Sequence, residues 1–150
     1  DKKDKQILSL LQQDASLSLA EIAEHVGLSS TPCWNRVKRL EEEGVIAKRV
    51  ALLNPEKVNL PTSTFMTLTV NTHKSKWMNQ FKEVVLSFDE VMEVYRMTGE
   101  YDYMLRVQVS DIQSFDRFYK RLMDKLDGIT KVTSSFTMET IKYTTALPLK

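Results

Sequence analysis

One cysteine, two histidines, four glycines and no long apolar run set the limits of this 150-residue chain. A lone Cys33 excludes an internal disulfide and any thiolate metal cluster within one chain. His25 and His73 have no ligand-type neighbours at metal-binding spacing, so no metal site and no cofactor are expected. The glycines form no phosphate-cradling loop, and no acid and base stand together at motif spacing, which argues against an enzyme. No stretch approaches the roughly 18 apolar residues of a spanning helix. The start, Asp1-Lys2-Lys3-Asp4-Lys5, leads into an amphipathic pattern rather than the apolar centre of a signal peptide. The expectation is a cytoplasmic protein with no membrane partner. Excess charge is missing as well. Basic and acidic residues number 21 and 20, for a net charge of +1, and residues 1–50 carry eight of each. A nucleic-acid partner would therefore have to be met by local arrangement rather than by bulk charge.

What is present is globular: 42% hydrophobic and 27% charged residues. The length suits two small domains, each marginally stable alone, so a second copy of the chain is an expected source of additional core.

Three short helices open the chain. Ile7, Leu8, Leu10 and Leu11 give residues 3–13 one apolar face, and Asp14-Ala15-Ser16 interrupts it. Ser18 with Glu21 reads as a capping box, after which Leu19, Ile22, Ala23 and Val26 continue to a terminating Gly27. Pro32 is taken as the first position of a third helix that runs to about Glu43, with Gly44 as its stop. Residues 45–53 read as extended and end at Asn54-Pro55. A tight glycine-containing turn between the second and third helices makes this a helix-turn-helix pattern followed by a strand.

At about 100° per residue, Cys33, Val37 and Leu40 line the inner side of the third helix, and Thr31, Asn35 and Lys38 lie opposite, flanked by Trp34 and Arg39. An asparagine can pair bidentately with an adenine edge, and Lys38 or Arg39 can reach guanine or phosphate. Ser29, Ser30 and Thr31 suit a phosphate at the helix start, and Arg36, beside the inner stripe, suits phosphate rather than a base. Double-stranded DNA is the partner this pattern favours. The plainer alternative is a solvated face in which Arg36, Lys38 and Arg39 pair with Glu41, Glu42 and Glu43. Cys33 belongs to the core, and His25 and His73 to the surface.

The period then changes. Met66, Leu68 and Val70 alternate with threonines over residues 64–70, and Trp77, Met78, Phe81, Val84, Val85 and Phe88 recur at helical spacing. Residues 91–97 are extended, Gly99-Glu100-Tyr101-Asp102 turns, and Tyr103, Leu105, Val107 and Val109 alternate as a third strand. Ile112, Phe115, Phe118, Tyr119, Leu122 and Leu126 mark a helix ended by Gly128, and residues 129–143 form a long final strand. The order βαββαβ is ferredoxin-like, an α+β arrangement with both helices on one face of a four-stranded antiparallel sheet. The opposite face, with Phe65, Met104, Arg106 and Ser135, is left for a partner chain or a ligand.

The chain resembles the Lrp/AsnC family of bacterial transcription factors, the leucine-responsive and asparagine regulators. The resemblance rests on Asp4-Lys5-Gln6-Ile7-Leu8, on the block from Ser30-Thr31-Pro32-Cys33-Trp34 through Glu43-Gly44-Val45-Ile46, and on Thr98-Gly99-Glu100-Tyr101-Asp102-Tyr103. Trp34, Thr133-Ser134-Ser135-Phe136 and Ile141-Lys142-Tyr143-Thr144-Thr145 are similar to a subgroup of cysteine-responsive activators within it.

The resemblance implies a winged helix-turn-helix over residues 1–46, a linker strand over 47–60, and an effector-binding and oligomerising βαββαβ domain over 61–150. It implies homodimers built through the linker strand and the sheets, assembling further towards octamers. An amino-acid effector would sit between dimers, against Thr98, Gly99, Glu100, Tyr101 and Asp102 of one chain and Ser134, Ser135, Phe136 and Thr137 of another. Asp102 would accept the α-ammonium, and backbone groups near Thr98 would bind the carboxylate. On backbone grounds alone, Gly99 and Asp102 make an ordinary hairpin turn. Ser134 and Ser135 are small and polar, which suits a small effector, cysteine foremost, better than leucine. The expected function is amino-acid-responsive, sequence-specific DNA binding. A regulatory module that binds amino acids without DNA specificity is the alternative.

Overall fold

A computed structural model describes all residues, Asp1–Lys150. The chain divides into two compact units, Asp1–Leu52 with Ile141–Lys150, and Leu53–Thr140.

The first unit holds helices α1 (Lys2–Gln13), α2 (Leu19–Val26) and α3 (Ser30–Glu42). Their stripes converge as periodicity requires: Ile7, Ile22, Ala23, Val26, Cys33 and Val37 form one buried cluster. Caps set the helix ends. Asp1 accepts from the Asp4 N–H at the start of α1, and Ser18 accepts from the Glu21 N–H at the start of α2. Gly27, at φ +70°, lets the chain leave α2 in a left-handed turn that a side chain would oppose. The third helix begins two residues earlier than expected, so Pro32 is its third residue rather than its first. That position is tolerated because the first-turn N–H groups have no intrahelical acceptor.

The second unit is a sheet of order β2-β3-β1-β4, all antiparallel, from β1 (Thr62–Val70), β2 (Val91–Arg96), β3 (Tyr103–Val109) and β4 (Ile129–Phe136). Helices α4 (Ser75–Leu86) and α5 (Ile112–Asp124) follow β1 and β3, giving the expected α+β βαββαβ order. One face is the core: Met66, Leu68, Leu105 and Val107 from the strands meet Phe81, Val85, Phe118 and Leu122 from the helices. Phe81 lies against Tyr103 at 4.4 Å between ring centroids, and Phe88 meets Phe118 edge-on at 5.3 Å. The other face carries Phe65 opposite Arg106 and Ser135, and no helix covers it.

Three expected boundaries move. Residues 47–54 are neither helix nor strand, because no strand in the chain lies alongside to complete a ladder. Helix α5 stops at Asp124, before Gly128, whose φ of +75° belongs to the turn into β4. The final strand ends at Phe136 rather than running to residue 143. Its last support is the Thr137 N–H donating to the Ser63 carbonyl at 3.0 Å, one residue before β1 runs out.

The C-terminal segment Ile141–Lys150, expected to belong with the sheet, packs in the first unit. The Gln12 side chain of α1 exchanges two hydrogen bonds with the Leu147 backbone, and Lys5 Nζ donates to the Lys150 carbonyl.

Candidate nucleic-acid interface and effector loops

Helix α3 buries Cys33, Val37 and Leu40 and exposes Thr31, Trp34, Asn35, Lys38 and Arg39, with Ser29 and Ser30 exposed at its start. Burial pushes the Cys33 thiol up, and nearby Arg36 only partly opposes this, so Cys33 is a core group rather than a reactive one. Trp34 is 48% exposed, and the Lys38 ammonium stands 4.7 Å above its ring. An aromatic face, an amide and an ammonium therefore share one exposed helix side.

The arginines are arranged differently. Arg36 Nη1 donates to Asp1 Oδ2 at 2.7 Å and to Asp4 Oδ1 at 3.0 Å, and Arg39 Nη2 donates to Asp4 Oδ2 at 2.6 Å. Asp4, on α1, is only 7% exposed. Burial by itself would raise its pKa, but hydrogen bonds from Arg36 and Arg39 outweigh that and hold the carboxyl below its ordinary value. Lys38 approaches Glu42 at 3.9 Å, and Arg49 binds Glu41 at 2.8 Å.

From the sequence these arginines are expected to reach DNA, with the glutamates of their own helix as the alternative partners, and Asp4 is not among the candidates. A signal was available, since Asp4 precedes Ile7 by one helical turn and so occupies a slot on the apolar face of α1.

In the second unit, Thr98, Gly99 and Glu100 are exposed, and Tyr101 and Asp102 are half-buried. Gly99 has φ +111°, a conformation that L side chains rarely adopt, and nothing stands within 4 Å of where a Cβ would be. Asp102 ties the loop to the sheet. Its N–H donates to the Leu68 carbonyl, its carbonyl accepts from the Met97 N–H, and Oδ2 accepts from the Val70 N–H at 2.9 Å. Oδ1 makes none of these contacts.

The second predicted group lies elsewhere. Ser134 pairs with Met66, Ser135 with Phe65 and Phe136 with Thr64, while Thr137 reaches Ser63. Val70 and Ser63 are seven positions apart on β1, or about 24 Å at the rise of an antiparallel strand. At their nearest the two groups are two positions apart along β1, since Asp102 donates to Leu68 and Ser134 pairs with Met66, and they approach β1 from its two different edges, β3 and β4. Strand alternation also divides the second half, because Phe136 turns to the helices and meets Phe115 edge-on at 5.1 Å, whereas Ser135 stands opposite Phe65 on the uncovered face.

No group of three His, Cys, Asp or Glu side chains gathers as a metal site, and no helix is long and apolar enough to cross a membrane.

Comparison with known proteins matches both units. Residues 1–47 match the winged helix-turn-helix DNA-binding family, and residues 63–147 match the Lrp/AsnC ligand-binding domain. The chain is 51% identical over 150 residues to the DNA-binding transcriptional activator DecR of Escherichia coli K12, covering 100% of this chain and 99% of that protein. The crystal structure of an AsnC family transcriptional regulator from Agrobacterium tumefaciens superposes with a TM-score of 0.96 at 51% identity, covering 99% of this chain and 97% of that one. A Neisseria meningitidis transcriptional regulator in complex with L-Met gives a TM-score of 0.94 at 36% identity, covering 99% and 96%. These relatives are regulators rather than enzymes. Through both of its units, then, the chain belongs to the Lrp/AsnC family of DNA-binding transcriptional regulators with a ligand-binding domain.

Proposed function

We propose that the protein regulates transcription as a homodimer whose two copies of α3 enter successive major grooves, switched by a small amino acid, cysteine foremost. The observation that carries this reading is the exposed side of α3, where Thr31, Asn35, Trp34 and Lys38 stand together above a buried stripe. Asn35 would read an adenine edge, and Trp34 would lie against a thymine methyl. Ser29, Ser30 and Thr31 would meet a phosphate, with Arg36 and Arg39 nearby but seated on Asp4. A two-fold dimer requires roughly palindromic half-sites about one helical turn apart. The protein would act in the cytoplasm, where its DNA is, and as an activator, the role that the name of the Escherichia coli relative states.

Two observations support the homodimer and higher assemblies, an octamer among them. Val50, Leu52 and Leu53 are exposed on a segment with no strand beside it, as expected of a strand awaiting a second copy. The two halves of the effector site, Thr98 to Asp102 and Ser134 to Thr137, lie on opposite sides of β1 in one chain, so neighbouring chains would complete it. Asp102 Oδ1 would receive the ammonium. A similar protein was crystallised with L-Met, which makes an amino acid of modest size a suitable ligand class. Ser134 and Ser135 favour a smaller one. Linkage requires that an effector which changes the affinity for DNA by some factor have its own affinity changed by DNA by the same factor.

The test is a mobility-shift titration of the DNA upstream of the protein's own gene, with and without a panel of amino acids headed by cysteine. Salt-sensitive binding that prefers this DNA over random duplex, altered by cysteine, is the expected result. Binding of cysteine with no DNA preference would overturn the regulatory reading in favour of an interaction module.

A further inference from the structure

Residues 1–50 are electrically balanced within themselves, and the balance is uneven in strength. Lys38 pairs with Glu42 and Arg49 with Glu41, both between exposed side chains. Such pairs contribute about 0–1 kcal/mol and are screened by salt, so a phosphate displaces them readily. Asp4 differs because it is buried, it belongs to another helix, and each of its oxygens accepts from a different arginine of α3. Guanidinium groups recognise carboxylates and phosphates by the same fork geometry, so a carboxylate already seated on them competes directly with DNA.

Arg39 lies about 40° around the helix from Asn35, at the edge of the exposed side. Arg36 and Arg39 retain 31% and 48% side-chain exposure; if Asp4 released them, Arg39 would be open to a phosphate, and Arg36 would keep only its pair with the exposed Asp1, which a phosphate displaces readily. The side-chain hydrogen bonds and ion pairs of Asp4 go to Asp1, Arg36 and Arg39, and none goes to the base-reading candidates Thr31, Trp34 and Asn35.

We propose that Asp4 is a specificity-determining residue for DNA recognition: its carboxylate occupies the place of a backbone phosphate on Arg36 and Arg39 and so suppresses sequence-independent binding. Contacts to base edges survive this neutralisation, and contacts that any duplex could make do not. The local equality of charge over residues 1–50 then has a function, since it lowers the affinity for random DNA against which an operator must compete.

The test rests on the DNA-binding reading and separates from it. The full chain is titrated with a random-sequence duplex over a range of sodium chloride concentrations, and with the DNA upstream of its own gene as a control. If the wild type binds neither, the DNA-binding reading itself fails. If it binds, Asp4→Asn is expected to tighten random-duplex binding about tenfold near 0.1 M salt, with the slope of log K against log salt steeper by up to about 1.8, two phosphate contacts at about 0.9 each. A merely structural role for Asp4 would weaken binding and leave the slope alone, and that outcome overturns the proposal. Arg39→Gln decides the matter even if Asp4→Asn fails to fold. An arginine already neutralised by Asp4 leaves the random-duplex slope of the parent unchanged, whereas a fall of about 0.9 shows that Arg39 was contacting phosphate all along and overturns the proposal.

Discussion

Gln12 and Leu147 are joined twice: the amide Nε2 donates to the Leu147 carbonyl at 3.1 Å, and the Leu147 N–H donates to Oε1 at 2.6 Å. A side-chain amide thus takes the part of a strand neighbour for the C-terminal segment. Gln12→Ala is expected to remove the protection of the Leu147 N–H against hydrogen exchange and to lower stability by about 1 kcal/mol. Unchanged exchange at Leu147 would mean that the rest of the segment holds itself in place.

Thr64 is fully buried, and its hydroxyl has no hydrogen-bond partner. An unsatisfied buried hydroxyl carries a desolvation cost that an isosteric methyl does not. Thr64→Val should therefore raise the unfolding free energy by about 1 kcal/mol in urea denaturation. A loss of stability would reveal an acceptor for that hydroxyl in the assembled protein.

Asp102 is the candidate ammonium acceptor. Asp102→Asn preserves an oxygen for the Val70 N–H but removes the charge that an ammonium requires. Calorimetric titration with cysteine should show affinity weakened by about 10- to 100-fold, the worth of a hydrogen bond to a charged group. Equal affinity in the two proteins would remove Asp102 from the site.

The Asp4 carboxyl is held below its ordinary pKa by Arg36 and Arg39, against the effect of burial. The stability from these pairs is therefore fully present above the ordinary aspartate pKa of about 3.9 and is lost as the pH falls through the lower folded value. Urea denaturation from pH 7 down to pH 2 should show a steeper acid decline for the wild type than for Asp4→Asn, with the gap between the two curves narrowing once the pH falls below about 3.9. Parallel curves would mean that the ion pairs contribute nothing to folding.

Much of the fold was legible because periodicity is local. The alternation of Met66, Leu68 and Val70 and the helical recurrence of Trp77, Phe81 and Val85 identify their elements without knowledge of any neighbour. Cys33, Val37 and Leu40 marked the inner side of α3 in the same way, and its exposed side followed. The end of β4 was not legible, since a strand continues only while a partner accompanies it, and β1 begins at Thr62.

The sequence by itself therefore determined the order and type of the elements, the helix-turn-helix, and which residues of α3 face outward, because each depends on spacing within a dozen residues. Only the tertiary structure decided which cations of α3 are free. Arg36 and Arg39 lie 32 and 35 residues from Asp4, and the choice between that carboxylate and the nearby glutamates depends on how α1 packs against α3. The docking of Leu147 on Gln12, 135 residues away, and the separation of Asp102 from Thr137 along β1 were decided there too. A contact between residues distant in sequence is a property of packing, and no local pattern encodes it.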